Sequence, residues 1–132
     1  ADRVRRRKLR AVRRDRDDLQ RALVWEQVRG AYERGDQTGA RKHLEDLLGK
    51  QRDEGQKVIQ MLEAYLALTE DTGQTGEAVK FLKRYIPAME TRYGTTGHNR
   101  AMILRFLLRA HESNGDTAEA ERLAKRIERL EK

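Results

Sequence analysis

The chain reads as an all-α protein, an α-solenoid of three helix-turn-helix units behind a basic N-terminal helix or arm. Three observations carry the fold class. The segments Gly35-Asp36-Gln37-Thr38-Gly39-Ala40, Gly73-Gln74-Thr75-Gly76-Glu77-Ala78 and Gly115-Asp116-Thr117-Ala118-Glu119-Ala120 repeat one turn pattern, 38 and then 42 residues apart. On both sides of every turn, apolar residues recur three and four apart, the period of a helix with one buried face. Ala, Glu, Lys, Leu and Arg together make up more than half of the sequence, and a single Pro interrupts it. Helical hairpins of fixed period cannot bury their apolar faces alone, so neighbours must stack.

Taken in order, residues 1–18 form the arm. Arg3, Arg5, Arg6, Arg7, Lys8, Arg10, Arg13 and Arg14 face one acid, Asp2, in the first 14 residues. The rest of the chain carries as many acids as bases, so the net charge of +7 belongs to the arm. Leu9, Val12, Leu19 and Leu23 share a helical stripe that Arg16 breaks. Either one helix runs through the arm, or Asp15, Asp17 and Asp18 cap a fresh helix near Leu19.

The repeat domain spans 19–132, in units of about 19–54, 56–94 and 97–131. The first runs through Leu23, Val24, Val28 and Ala31 to its turn, then Ala40, Leu44, Leu47 and Leu48, and fades near Asp53-Glu54-Gly55. The second has the strongest apolar face: Val58, Ile59, Met61, Leu62, Tyr65, Leu66 and Leu68, then Ala78, Val79, Phe81, Leu82, Tyr85 and Ile86. Pro87 falls inside that pattern, where a missing N–H and ring crowding predict a kink or a restart. A loop at Gly94-Thr95-Thr96-Gly97 leads into Met102, Ile103, Leu104, Phe106, Leu107, Leu108 and Ala110. In the last helix Ala120, Leu123, Ala124, Ile127 and Leu130 form one stripe. Its other faces are charged, as in a solvated cap.

The turn Gly-Asp-x-x-x-Ala with Ala-Tyr or Ala-His before it resembles the tetratricopeptide repeat. Ala31-Tyr32-Glu33-Arg34-Gly35-Asp36 with Ala40 carries the likeness in the first unit; Leu107-Leu108-Arg109-Ala110 through Gly115-Asp116 to Ala120 carries it in the third. The longer second spacing, with Ala88-Met89-Glu90-Thr91-Arg92-Tyr93-Gly94 and His98, looks like the repeats of the kinesin light chain type. The resemblance covers about residues 20 to 131. It implies a right-handed stack whose first helices line a concave groove for a partner peptide or helix. By register the groove residues are Trp25, Arg29 and Tyr32, then Glu63, Ala67 and Glu70, then Arg105, Arg109 and Glu112. Trp25 could instead pack on the N-terminal helix, and Arg105 and Arg109 could form a plain solvated face. The Lys and Asn pattern that grips a terminal carboxylate in chaperone-binding members is missing, its places holding Trp25, Ala64, Met102 and Phe106.

Catalysis and cofactors are not expected. His43, His98 and His111 have no second ligand at zinc spacing, and the absence of Cys excludes thiolate sites and disulfides. Ser113, the only serine, sits beside Asn114-Gly115 at a helix end. Gly49-Lys50 lacks the rest of a phosphate loop, and Asp17-Asp18 and Glu70-Asp71 are adjacent pairs at helix ends. No apolar run approaches the ~20 residues of a membrane span, and no signal-peptide core is present. Compartment stays open, with the cytoplasm favoured. The functional expectation is a non-enzymatic scaffold that binds a protein or peptide. The alternative is nucleic-acid or anionic-surface binding through the arm, which lacks aromatic side chains for base stacking. A third possibility is that the basic helix docks on a sister chain or a neighbouring domain.

Overall fold

The computed structural model describes residues 7, 19, 21–50, 56–93 and 97–131. Among them the secondary structure is helical throughout, with no strand. Residues 21–33 form α1, followed by α2 (Gln37–Lys50), α3 (Gln56–Asp71), α4 (Thr75–Tyr93), α5 (Gly97–Ser113) and α6 (Thr117–Glu131). The chain divides into two compact units, Ala1–Leu47 and Leu48–Lys132.

In the first unit the buried apolar residues are Val28 and Ala31 on α1 and Ala40, Leu44 and Leu47 on α2. At about 100° per residue, Leu19 and Leu23 fall on the opposite side of the helix from Val24, Val28 and Ala31. They are 61% and 57% exposed. Leu9, Val12 and the acids at 15, 17 and 18 lie outside the described residues, while Arg7 and Leu19 are both helical.

The second unit holds the larger core. Val58, Met61, Leu62, Tyr65, Leu66 and Thr69 on α3 are buried at steps of three and four. They meet a matching set on α4, namely Ala78, Val79, Leu82, Ile86 and Met89. The Tyr65 and Phe81 rings lie 5.2 Å apart and tilted, and Phe81 stacks on Tyr85 at 5.4 Å, both within the range of favourable aromatic pairs. Helix α3 packs on α4 and also on α5; α4 packs on α5, and α5 on α6. Helix α6 buries Ala120, Leu123 and Ile127 and exposes Ala124, Glu121, Arg122, Lys125, Arg126, Glu128 and Arg129.

All three repeated turns have the same backbone. Gly35, Gly73 and Gly115 adopt φ of 79°, 69° and 77°, a region costing an L-residue about 1–2 kcal/mol. The next residue's N–H donates to the carbonyl five positions back: Asp36 to Ala31 at 2.8 Å, Gln74 to Thr69 at 2.8 Å, Asp116 to His111 at 2.9 Å. The glycine N–H reaches Tyr32, Glu70 or Glu112 at 3.0, 3.5 and 3.2 Å. This is the Schellman ending, which satisfies carbonyls left over at a helix C-terminus. The same residue opens the next helix, its carbonyl accepting from Ala40, Ala78 and Ala120 at 3.0, 3.1 and 2.9 Å. One residue thus closes one helix and starts another, which explains the brevity of the connection.

Of the kink or restart expected at Pro87, the restart does not occur: α4 is a single helix from Thr75 to Tyr93. An interior proline costs about 3 kcal/mol. Ile86 and Met89 flank it and are both buried, at about 1.5–3 kcal/mol each, which outweighs that cost. Thr91 Oγ1 donates to the Pro87 carbonyl at 3.0 Å, adding a local bond downstream.

Candidate functional site

Each expected contact residue is solvent-facing, and the two units present them separately. On α1, Trp25 is 36% and Tyr32 45% exposed, and Arg29 pairs with Glu26 one turn away. In the second unit Glu63, Ala67 and Glu70 on α3 and Arg105, Arg109 and Glu112 on α5 are all exposed. Of the arm, Arg7 is exposed; Arg3, Arg5, Arg6, Lys8, Arg10, Arg13 and Arg14 lie outside the described residues.

The face of α3 and α5 is cross-linked by its own side chains. Arg109 Nη2 lies 2.6 Å from Glu70 Oε1, while Ser113 Oγ donates to Glu70 Oε2 at 3.1 Å. Arg105 pairs with Glu131 on α6. Glu90 on α4 holds Arg100 on α5 at 2.9 Å, within ion-pair reach, although buried Arg100 Nε is off the geometry of a hydrogen bond. All three cations assigned to partner binding, Arg29 included, therefore already have carboxylate partners. Half-exposed pairs of this kind are worth about 0–1 kcal/mol each, so their main effect is on charge and alignment. Glu63 and Glu112 remain as exposed acids of the same face.

A second polar cluster joins the turn before α4 to the turn before α6. Thr75 Oγ1 donates to Asn114 Oδ1 at 2.9 Å, and Asn114 Nδ2 donates to Asp116 Oδ2 at 3.0 Å. His111, only 2% exposed, brings Nδ1 within 3.0 Å of the same oxygen. The Asn114 hydrogen bond, then the His111 one, hold the Asp116 carboxyl below the ordinary aspartate value, with Lys83 adding a favourable field. The sequence offers His111 as the histidine of the Ala-His pair before the third turn, and as a surface or helix-crossing residue rather than a zinc ligand, but it does not reveal this cluster. Thr75 to Asn114 and Glu70 to Arg109 are both 39 residues apart, about one helical turn short of the 42-residue spacing between their turns. The contacts therefore do not join equivalent repeat positions, and the turn spacing alone does not predict them.

Among the described residues no group of three His, Cys, Asp or Glu could hold a metal ion. His43 is half-buried on α2. Among them, too, no helix is long and apolar enough to cross a membrane. No family model matches the chain, and no curated protein and no solved structure matches it either.

Proposed function

We propose that this protein is a tetratricopeptide-like helical repeat protein acting as a non-enzymatic scaffold. In this reading the exposed face of α3 and α5 receives a partner peptide or helix. The observation that carries it is the packing of α3 on both α4 and α5, joined to three turns with one hydrogen-bond pattern. Adjacent first helices are the arrangement expected when hairpins step along a stack, and α6, whose outer faces are charged, suits its end. Inclusion of the first unit rests on its matching turn at Gly35-Asp36. The reading is one of architecture, and the partner's identity must come from binding.

The test uses Glu63→Lys with Glu112→Lys, two acids that take no part in the pairs described above. Captured from its native source, the partner should be lost or much reduced on the double variant, with helicity by circular dichroism unchanged. Full retention of every captured protein would count against this face. The arm supports a second reading, polyanion binding, because eight bases lie in its first 14 residues. Deleting those residues should then abolish nucleic-acid binding and its steep salt dependence, as expected when cations displace condensed counterions. An unchanged affinity eliminates that reading.

A further inference from the structure

Asn114-Gly115 is the only Asn-Gly pair in the chain, and side-chain bonds link its turn to Thr75, His111 and Asp116. We propose that it is a latent site of spontaneous deamidation, with the reaction gated by the α5–α6 turn and its tie to Thr75. The chemistry needs only water. The Gly115 backbone nitrogen gives up its proton to a solvent base and attacks Asn114 Cγ. The Cγ–Nδ2 bond breaks, and the side-chain nitrogen leaves as ammonia once it has taken up a proton. Water then opens the cyclic imide at either carbonyl, giving aspartate or isoaspartate, so the net change is amide plus water to acid plus ammonia. Glycine favours the attack because no Cβ obstructs the approach of its nitrogen.

In the folded chain both reacting groups are engaged. The Gly115 N–H donates to the Glu112 carbonyl at 3.2 Å, and the Asn114 N–H to Ala110 at 3.0 Å, which keeps Asn114 in helical backbone. The amide itself is held at both ends, Oδ1 by Thr75 at 2.9 Å and Nδ2 by Asp116 at 3.0 Å. Attack therefore requires the turn to open, and its rate follows the population of the open form. The product would not reclose well. Its new carboxylate oxygen would replace a donor 3.0 Å from the Asp116 carboxylate, setting two like charges together. Isoaspartate would also lengthen the main chain inside the ring closed by the 2.9 Å bond from Asp116 N–H to the His111 carbonyl. The change would act as an irreversible record of the total time the turn spends open.

The test follows the full chain at mildly alkaline pH, folded and in urea, by mass spectrometry of the tryptic peptide 110–122. Asn114 is the only side-chain amide in that peptide, so conversion to the acid reports this site alone. Conversion should be fastest in urea and slowest in the folded chain. Thr75→Val should speed the folded rate about tenfold, the factor expected for one lost hydrogen bond, while Thr75→Ser keeps it slow. Equal rates in urea and in buffer would overturn the proposal without need of any variant. So would a folded Thr75→Val chain that converts no faster than the unsubstituted one.

Discussion

The first and third turns share a backbone and differ in what their aspartate does. Asp36 works locally: its Oδ1 accepts the Gly39 N–H at 2.9 Å and so caps the start of α2. Asp116 occupies the same place, but its Oδ2 accepts from Asn114 and meets the buried His111 ring. The first arrangement satisfies an orphan donor of one helix. The second connects the end of α5 to the start of α6 and, through Asn114 and Thr75, to α4. One turn sequence therefore serves either as a helix cap or as a joint between hairpins. The neighbouring side chains differ accordingly, Ala31 and Arg34 in one case and His111 and Asn114 in the other.

The largest effect that would break this contrast is expected from His111→Ala. Removing a buried ring that faces a carboxylate should destabilise the second unit by about 1–3 kcal/mol, read as a lower midpoint in urea. Ala31 already lacks such a ring in the first turn, so a neutral outcome at 111 would mean that the two turns are equivalent after all. Acid titration gives a second handle on the same pair. A carboxyl whose folded pKa is lowered contributes stability that is fully present above the ordinary aspartate value of 3.8 and is lost as pH falls through the lowered one. Melting temperature should therefore fall across that acid window, and Asp116→Asn should flatten this part of the profile. An unaltered profile would remove Asp116 from the account.

Glycine substitutions sharpen the comparison with a smaller effect. A Cβ at Gly39 would sit 2.2 Å from Asp36 Oδ2, so Gly39→Ala must displace the capping carboxylate. At Gly76 the nearest atom would be Asn114 Oδ1 at 3.6 Å, an ordinary contact. Alanine gains about 0.5–1 kcal/mol over glycine within a helix. Loss of the cap costs about 0.5–2 kcal/mol. Gly76→Ala should thus raise the melting temperature, while Gly39→Ala should leave it unchanged or lower it. Equal gains at both positions would show that the Asp36 cap contributes nothing.

Much of this was legible because turns and stripes are local. Gly35, Gly73 and Gly115 stand where φ must be positive, and their spacing placed the helix ends. The buried face of α3 follows from its own period. Pro87 does not end α4, because burial of Ile86 and Met89 prevails over its local cost. Glu70, Arg109 and Ser113 were each visible, yet their meeting depends on how successive hairpins align. No single helix encodes that register. Leu19 and Leu23 looked like part of a packed stripe, but they are exposed.

The smallest expected effect concerns that alignment. In a double-mutant cycle of Glu70→Gln and Arg109→Gln, the pair should couple by about 0.2–1 kcal/mol, since both side chains are partly exposed, at 34% and 44%. Added salt should reduce the coupling further. The measurement also bears on the proposed contact face. If Glu70 neutralises Arg109 in the free protein, a partner that needs the arginine must displace the glutamate. Glu70→Gln should then strengthen binding of an acidic partner, whereas a basic partner, drawn to the acids of the same face, should bind more weakly. The sign of the change separates the two classes of partner, and no change with either would place the pair in alignment of α3 with α5 alone.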